Sequence, residues 1–345
     1  MIWIRADANK EIGSGHVMRC LSVAAALQEC GEEVCFIVAD EGAEALLKDR
    51  GQAYRILHSA YDDMDGEWEQ LDRLFQEQRP GLVLVDSYFA TRDYLRRLRE
   101  RVKTVYMDDV PRFAYPVDMV INYNIYGDSL PYMENAAEER QECLLGVAYA
   151  PLREQFQDIA YEVRPKAENV LVTTGGSDKY NLAGQILESV LRDDRTKELH
   201  YHVVSGAFNP HYPVLEAFAE EHGNIHLYRN VSDMAGLMKR CDVAISAGGS
   251  TMYELCAVGV PTLCFSFVDN QEQIVATFLE KGLVAYGGNY LVEKEAFVRK
   301  VTKALAMLAG SVTLRQQYSQ KERQLVDGQG ARRIAQALIH LADNK

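Results

Sequence analysis

The sequence lacks the features of membrane and secreted proteins. No run approaches the roughly 20 apolar residues that a bilayer-spanning helix needs. The N-terminus has neither the basic nor the apolar region of a secretory signal, so we expect no signal peptide. The seven cysteines include no Cys-x-x-Cys pair, and most of them lie in apolar runs, which indicates buried, reduced thiols. We therefore expect a cytoplasmic protein.

Positively charged residues are also fewer than negatively charged ones. Lysine and arginine together number 37, against 50 aspartates and glutamates, so the net charge is −13. A nucleic acid is therefore not an expected partner. An anionic small molecule would have to be bound by local features, namely helix N-termini and backbone N–H groups.

The common nucleotide-binding and hydrolase motifs are missing as well. No Gly-x-x-x-x-Gly-Lys-Ser/Thr sequence is present, so a P-loop ATPase is not supported. The turn Gly13-Ser14-Gly15 lacks the third glycine of a dinucleotide-binding fingerprint, and no Gly-x-Ser-x-Gly nucleophile elbow occurs.

What is present is a regular alternation of short, β-branched apolar runs with amphipathic segments. This pattern is typical of βα units that build parallel sheets. A chain of 345 residues is long enough for two domains. We predict two doubly wound, Rossmann-like α/β domains that face an interdomain cleft, at residues 1–150 and 151–330. A last helix within 331–345 is expected to pack back on the first domain.

The predicted strands of the first domain are Ile2–Arg5, Glu33–Ala39, Ala53–Leu57, Leu82–Asp86, Thr104–Met107 and Met119–Asn122. Those of the second domain are Lys166–Thr174, Leu199–Ser205, Ile225–Tyr228, Val243–Ser246, Thr262–Phe265 and Val284–Tyr286. The stretch 124–150 is less regular and is predicted to hold one helix, Pro131–Arg140.

The first strand leads into a glycine-rich turn, and a histidine stands where the first helix begins. Gly13 and Gly15 allow the backbone to approach a ligand closely. The helix N-terminus disfavours a charged imidazolium, so a neutral His16 is suited to act as a general base. The alternative is that His16 only caps the helix or packs at a domain surface.

Polar residues follow several strands of the same domain. Asp7, Asp86 with Tyr88, the pair Asp108-Asp109 and Asn124 all come directly after predicted strands. In a parallel sheet these positions face one crevice, where they would orient His16 or bind sugar hydroxyl and amide groups. Such residues are equally common as turn formers and helix caps. The acidic residues in 62–65 and 108–109 are interpreted as solvated or capping groups, and we predict no metal site.

A sharper signal lies in the second domain, where a strand, a glycine turn and a helix recur. Gly249 allows a ligand to approach the backbone closely. Ser250 and Thr251 stand at the start of a helix, where their free N–H groups can bind an anion, most naturally a phosphate. Glu254 lies one turn further on the same face. A carboxylate there would repel phosphate but would accept hydrogen bonds from two ribose hydroxyls. The alternative is an ordinary helix start with an acid in its first turn.

Three other stretches suit a nucleotide. Gly176 and Ser177 lie in a second glycine turn and are predicted to contact a phosphate. Val231 lies in a loop that could read a base through its backbone, although Ser232 would also serve as a plain helix cap. Asn270 and Gln271 offer side-chain amides for the diphosphate or sugar.

Two of these motifs resemble a known family. Ile4-Arg5-Ala6-Asp7-Ala8 together with Ile12–Leu21 is similar to the N-terminal signature of the UDP-sugar hydrolases of the pseudaminic acid pathway, which are also described as spore coat polysaccharide proteins. Ser246–Glu254 and Asp269–Gln271 are similar to the nucleotide half that this family shares with MurG-type glycosyltransferases of GT-B fold. The resemblance extends over nearly the whole chain, including Val85–Tyr88, Tyr106–Asp109 and Tyr149–Arg153.

The resemblance implies a GT-B fold and hydrolysis of UDP-2,4-diacetamido-2,4,6-trideoxy-β-L-altrose to UDP and the free sugar. Water attacks the anomeric carbon with inversion, His16 is the base, and no metal or other cofactor takes part. Arg153 is assigned to the sugar with Asp7, Gly13, Gly15, Tyr88 and Asn124. Many relatives have a histidine shortly after the Asp-Asp pair, whereas residues 111–115 of this chain contain none.

Two other functions stay open. A GT-B glycosyltransferase would move the sugar to an acceptor, often with a basic or apolar membrane-facing patch on its first domain, where we predict no basic amphipathic helix. A UDP-sugar-binding protein without turnover would leave the Gly-Ser-Gly-His turn unexplained. The exact sugar, including that of a related nonulosonic acid pathway, stays open too.

Overall fold

The structure is a computed structural model that describes residues 1–139, 141–176, 178–206 and 209–343. The chain divides into two compact units. Unit 1 comprises Met1–Arg153 and Gln329–Lys345, and unit 2 comprises Glu154–Gly328. The C-terminal segment therefore belongs to the same unit as the N-terminus.

Unit 1 begins with alternating strands and helices. Its strands are β1 (Ile2–Ala6), β2 (Val34–Val38), β3 (Ala53–Ile56), β4 (Leu82–Asp86), β5 (Lys103–Met107), β6 (Met119–Asn122) and β7 (Glu142–Leu145). Its helices up to this point are α1 (Gly15–Glu29), α2 (Glu44–Asp49), α3 (Trp68–Glu77), α4 (Arg92–Arg99) and α5 (Tyr132–Glu139). Within the described residues the strands form one parallel sheet in the order β3-β2-β1-β4-β5-β6-β7.

Unit 2 repeats this architecture. Its strands are β8 (Asn169–Thr173), β9 (His200–Ser205), β10 (Ile225–Arg229), β11 (Val243–Ala247), β12 (Thr262–Ser266) and β13 (Ala285–Asn289). Its helices are α6 (Leu182–Leu191), α7 (Tyr212–Glu221), α8 (Met234–Arg240), α9 (Thr251–Val258), α10 (Asp269–Glu280), α11 (Tyr290–Gly310) and α12 (Val312–Leu325). The described strands form a parallel sheet in the order β10-β9-β8-β11-β12-β13.

The central strands form because they are continuous apolar runs that helices cover on both faces. All five residues of β1, β2 and β4 are buried, and so are those of β11 and β12. Burial on both faces is why these strands do not alternate between apolar and polar residues. The same property made them recognisable in the sequence, and each predicted strand is present with shifts of a few residues at its ends.

One strand of the first sheet was not predicted. β7 pairs with β6 at the edge of the sheet, with Glu142 exposed and the next three residues half-buried. An edge strand with a charged first residue has no long apolar run to reveal it.

The five cysteines other than Cys30 and Cys143 are buried, and all seven are free thiols.

The last helix, α13 (Gly330–Asp343), returns to unit 1 and packs against α1. Its apolar face, which includes Ile334, Ala335 and Leu338, is fully buried. A Cβ at Gly330 would lie 2.1 Å from the carbonyl oxygen of Ala150. Only glycine therefore allows this helix to begin so close to the backbone of Ala150, which follows the last strand of the first sheet.

The expectation that the first domain has no basic amphipathic helix is wrong. The helix α4 buries Tyr94, Leu95 and Leu98, whereas Arg96 and Arg97 are exposed on its other face. The apolar face is part of the core of unit 1 and is not available to enter a membrane. Among the described residues no helix is long and apolar enough to cross a bilayer.

The strand order of each sheet reverses at one point, and this point positions the candidate sites. In unit 1 the chain winds outward in both directions from neighbouring β1 and β4, and in unit 2 from β8 and β11. Ligands of open α/β sheets bind beyond the carboxyl ends of the strands at such a reversal. The turns before α1 and before α9 lie there.

Candidate active site

The turn before α1 is closed by its own backbone. Gly13 has φ of +74°, a conformation that favours glycine, and its N–H donates to the carbonyl of Asn9 over 2.9 Å. The side chain of Asn9 accepts from the N–H groups of Glu11 and Ile12 at 3.0 and 2.9 Å. α1 therefore begins at Gly15, and His16 is its second residue. A Cβ at Gly15 would meet no heavy atom within 4 Å, so packing does not explain this glycine.

His16 is paired with a buried carboxylate. Its Nδ1 lies 2.6 Å from Oδ1 of Asp86, and the two residues are 7% and 1% exposed. An ionised carboxylate only accepts hydrogen bonds, so Nδ1 bears the proton and Nε2 of the neutral ring bears the lone pair. Within the described residues no group is hydrogen-bonded to Nε2. The ring is thus held in the tautomer that a general base requires, and Asp86 is the residue that orients it.

Arg19 holds the carboxylate from the other side. Its Nε and Nη2 donate to the two oxygens of Asp86, each over 2.6 Å. Burial by itself would raise the pKa of Asp86, but the guanidinium of Arg19 and the ring of His16 outweigh it and hold that pKa well below its usual range. Cys20 adds a thiol donor 3.4 Å from Oδ2. Asp86 therefore stays ionised.

The remaining donor edge of Arg19 faces a second carboxylate. Its Nη1 lies 2.9 and 3.0 Å from the two oxygens of Asp109 and 3.1 Å from the hydroxyl of Tyr123. Burial raises the pKa of Asp109, but Arg19 more than offsets this and lowers it. Arg19 thus bridges two carboxylates that follow neighbouring strands.

Asp109 also accepts hydrogen bonds from two of the predicted sugar-binding residues. It accepts from the hydroxyl of Tyr88 over 2.7 Å and from Nδ2 of Asn124 over 3.0 Å. The rings of Tyr88 and His16 form a T-shaped pair, with centroids 4.7 Å apart and planes at 82°. Burial, together with Asp109, raises the pKa of Tyr88 well above its ordinary value. Tyr88 is still 40% exposed, so it presents an aromatic surface beside the histidine.

Asp7 lies in a different network. Its Oδ2 accepts from Arg5 over 2.5 Å and its Oδ1 from the N–H of Ala39 over 2.7 Å. Arg5 also makes a two-pronged contact with Glu67, at 2.8 and 2.6 Å. The geometry gives Asp7 the task of joining the ends of β1 and β2, and its contact with a sugar stays a prediction. Arg153, the last residue of the first segment of unit 1, is half-buried.

Arg19 belongs to the candidate site by its contacts, although sequence reasoning did not single it out. It stands three positions after His16 on α1, so the two side chains share one face of the helix. That spacing was visible in the sequence. The sequence also pointed to Asp86 and Asp109, but their pairing with Arg19 was not visible, because they come from other strands.

In unit 2 the turn before α9 leaves open space where an anion was predicted. A Cβ at Gly248 would lie 2.3 Å from Cγ2 of Val275, so packing against α10 requires that glycine. A Cβ at Gly249 would meet no heavy atom within 4 Å. Ser250 precedes α9 without a side-chain capping bond. In the described part of the chain no acceptor is bonded to the N–H groups of Ser250 and Thr251.

The turn after β8 differs, because its helix is already capped. Both carboxylate oxygens of buried Asp178 accept from the start of α6, from the N–H of Leu182 at 2.7 Å and of Ala183 at 2.8 Å. A phosphate at this turn would have to use loop N–H groups such as that of Gly176. A Cβ at Gly176 would meet nothing within 4 Å. Ser177 lies outside the described residues.

The other predicted nucleotide contacts lie near the ends of neighbouring strands. Glu254 is half-buried in the first turn of α9, and Val231 is half-buried in the loop after β10. Oε1 of Gln271 accepts from the N–H of Phe267 over 3.1 Å, which leaves its amide N–H groups as donors. Asn270 lies in the first turn of α10, and its side chain is outside the description. Among the described residues no group of three or more histidine, cysteine, aspartate or glutamate side chains is arranged to hold a metal ion.

Comparisons with known proteins bear on both units. Residues 169–336 match the glycosyltransferase family 28 C-terminal domain. Spore coat polysaccharide biosynthesis protein SpsG of Bacillus subtilis is 27% identical over 358 residues, which cover 100% of this chain and 99% of the relative. The UDP-2,4-diacetamido-2,4,6-trideoxy-beta-L-altropyranose hydrolase of Campylobacter jejuni is 26% identical over 283 residues, covering 81% of this chain and 97% of that enzyme.

A solved structure supports the fold. The crystal structure of MurG from Acinetobacter baumannii superposes with a TM-score of 0.68 at 14% identity, covering 98% of this chain and 99% of that one. With its two parallel sheets, the chain has a GT-B fold. Residues 169–336 match a glycosyltransferase family 28 C-terminal domain, and the chain is similar to the UDP-2,4-diacetamido-2,4,6-trideoxy-beta-L-altropyranose hydrolase of Campylobacter jejuni and to SpsG of Bacillus subtilis.

Proposed function

We propose that this protein is a nucleotide-sugar hydrolase that converts a UDP-linked diacetamido-trideoxy sugar to UDP and the free sugar. The relatives support this substrate class, because the Campylobacter jejuni protein is named for the hydrolysis of such a compound. The pathway would be that of pseudaminic acid or of a spore coat polysaccharide.

The observation that carries the proposal is the pairing of His16 with Asp86. A histidine whose Nδ1 is bonded to a buried, ionised carboxylate over 2.6 Å keeps a basic lone pair on Nε2. When Nε2 takes a proton, the imidazolium that forms is stabilised by the charge of Asp86. This arrangement is the one expected of a catalytic base, which favours turnover over simple binding of the nucleotide sugar.

In the proposed reaction, Nε2 of His16 accepts a proton from a water molecule as the water oxygen bonds to the anomeric carbon. The bond between that carbon and the diphosphate oxygen breaks, and UDP leaves with the electron pair. Direct attack from the opposite face inverts the anomeric configuration. Tyr88, Asn124 and Arg153, with the open backbone at Gly13 and Gly15, are the proposed sugar contacts, and Asp7 is the one that the geometry supports least.

Unit 2 would bind the UDP. The N–H groups of Ser250 and Thr251, at the start of α9, would stabilise the diphosphate through hydrogen bonds and the positive end of the helix. Such donors stabilise a departing anion without a metal ion. Gly176, Ser177, Asn270 and Gln271 would complete the diphosphate contacts, Glu254 would accept from the ribose, and the backbone at Val231 would read the base.

The test is incubation of the full chain with UDP-2,4-diacetamido-2,4,6-trideoxy-β-L-altrose, with EDTA and no acceptor. We expect UDP release, with inverted configuration of the freshly formed sugar in the NMR spectrum. Stereoisomeric diacetamido UDP-sugars, tested in parallel, would identify the preferred substrate. Retention of configuration would refute direct attack by water, and a requirement for an acceptor would refute hydrolysis.

A GT-B glycosyltransferase is the second candidate. The match of residues 169–336 to a glycosyltransferase domain favours it. That match concerns the nucleotide half, which is used equally by a hydrolase and a transferase. UDP release that depends on an added acceptor would favour the transferase.

A further inference from the structure

The guanidinium of Arg19 lies between the two carboxylates of the candidate site. Four of its contacts to carboxylate oxygens are between 2.6 and 3.0 Å, two to Asp86 and two to Asp109. The side chain is only 10% exposed, and that of Asp86 is fully buried. Salt and water screen such a group weakly, so its charge acts strongly on its neighbours.

One neighbour is the histidine itself. Nη2 of Arg19 lies 3.3 Å from Nδ1 of His16, and both atoms point at Oδ1 of Asp86. A guanidinium has no acceptor, and the Nδ1 proton is shared with the carboxylate, so the two nitrogens are adjacent donors and are not hydrogen-bonded to each other. Arg19 therefore competes with His16 for the negative charge of Asp86 and repels an imidazolium.

We infer that Arg19 is the positioning residue of this site: it fixes Asp86 as an oriented acceptor and so holds the His16 ring with Nδ1 as the donor and Nε2 free to accept a proton. The inference rests on the proposed function, because it assumes that His16 acts as a base. Arg19 contacts the base through Asp86 and needs no contact with the substrate. Its second carboxylate, Asp109, anchors Tyr88, whose ring makes an edge-to-face contact with the His16 ring.

The other charged and titratable groups around the His16 ring determine what replacing Arg19 should do to the protonation of the ring. These are Asp86 at the end of β4, Tyr88 in the following loop, Asp109 after β5, and Cys20 and Tyr123, which contact Asp86 and Arg19 respectively. Arg19 is the cation in this set. Its removal leaves two carboxylates beside the ring, so we expect protonation of the ring to become more favourable in the variant.

The experiment follows the histidine ring without substrate. The ¹⁵N spectra of the full chain, labelled in histidine, report the tautomer and protonation of each ring as pH changes, and the His16→Gln variant identifies the His16 signals. In Arg19→Met we expect ring protonation to shift to higher pH than in the wild type, because the neighbouring cation is gone. Arg96→Gln, which removes an exposed arginine of α4, is the matched control and should leave the His16 signals unchanged.

The kinetic readout is the pH dependence of UDP release. In Arg19→Met the acid-side fall of kcat/KM should occur at a higher pH, as the ring's protonation does. KM at high pH should change little, because Arg19 is not a substrate contact. Arg19→Lys keeps the charge and should restore most of the ring's titration, although not the two-pronged contact. A lower rate in Arg19→Met with no change in the ring's titration or tautomer would overturn the inference.

The two proposals fail separately. If the ring of Arg19→Met shifts as expected but the wild-type chain releases no UDP from any UDP-sugar, the hydrolase proposal fails and the electrostatic role stands. If Arg19→Met does not fold, the double variant Arg19→Met with Asp109→Asn removes one of the two carboxylates that Arg19→Met leaves without their arginine partner. An unchanged ring in that folded variant, relative to Asp109→Asn alone, overturns the role of Arg19.

Discussion

Nδ1 of His16 and Oδ1 of Asp86 lie 2.6 Å apart, although 70 residues separate them in the sequence. The parallel pairing of β1 with β4 causes this proximity, because Ala6 at the end of β1 lies beside Asp86 at the end of β4. The turn after β1 then brings the first turn of α1 back over both strand ends. The base and its orienting carboxylate thus depend on one sheet register.

Replacing the base should abolish turnover without unfolding the protein. In His16→Gln we expect UDP release to fall by roughly 10²- to 10⁴-fold, the range that general base catalysis contributes. UDP affinity, measured by calorimetry, should change little. His58→Gln, an exposed histidine of unit 1, is the control and should keep full activity. A His16→Gln variant with wild-type turnover would exclude His16 as the base.

Neutralising the orienting carboxylate should affect both rate and stability. In Asp86→Asn the amide can donate to Nδ1 and so favour the wrong tautomer, and we expect a rate loss of roughly 10²- to 10⁴-fold. The variant also leaves Arg19 with one charged partner, Asp109, in place of two, which costs at most about 3 to 5 kcal/mol of unfolding free energy. Denaturant unfolding and UDP release measure the two effects. A normal ¹⁵N tautomer pattern of His16 in this variant would contradict the pairing.

Two adjacent glycines of unit 2 should respond in opposite ways. A Cβ at Gly249 stands in open space, so Gly249→Ala should fold normally but weaken UDP binding on the order of tenfold, or ~1.4 kcal/mol. A Cβ at Gly248 would lie 2.3 Å from Val275, so Gly248→Ala should lose about 1 to 3 kcal/mol of stability. Calorimetry with UDP and thermal unfolding separate the effects. Undiminished UDP affinity in Gly249→Ala would move the diphosphate away from this turn.

Stability should fall in mild acid because of His202. Burial, with smaller contributions from His226, Arg240 and His200, lowers the pKa of this histidine to about 4, below its ordinary 6.5. Between these two values the unfolded chain binds more protons than the folded one, so stability decreases as pH falls from 6.5 toward 4, by at most about 3 kcal/mol. Denaturant unfolding of wild type and His202→Gln across this range checks it. Parallel pH curves for the two proteins would refute the assignment.

The buried ion pair of Arg5, in β1, with Glu67 should contribute strongly to the stability of the fold. Arg5 and Glu67 are 1% and 0% exposed, and Tyr94 also donates to Glu67 over 2.9 Å. In Glu67→Gln the arginine keeps Asp7 but loses a charged partner, and we expect a loss of about 3 to 5 kcal/mol. The exposed pair of Arg73 and Glu69 offers a control, since Arg73→Gln should cost less than about 1 kcal/mol. Equal costs would show that burial does not strengthen the pair.

The amino-acid sequence by itself determined the fold class and much of the candidate site. Continuous apolar strands and glycine turns follow from local composition, and they predicted the two parallel α/β sheets. They also placed His16 at a helix start and Ser250 and Thr251 at another. These features depend on residues that are neighbours along the chain, where periodicity and turn preferences act directly.

Only the tertiary structure decided which polar groups meet. Asp7 and Asp86 both follow central strands, yet Asp7 is bound by Arg5 and Asp86 by His16 and Arg19. The choice depends on strand register and on the rotation of α1 about its axis, which long-range packing sets. The same packing adds the half-exposed edge strand β7 and brings α13 back to unit 1. Hydrogen-bond partners far apart in sequence are specified by such contacts, so no local pattern could reveal them.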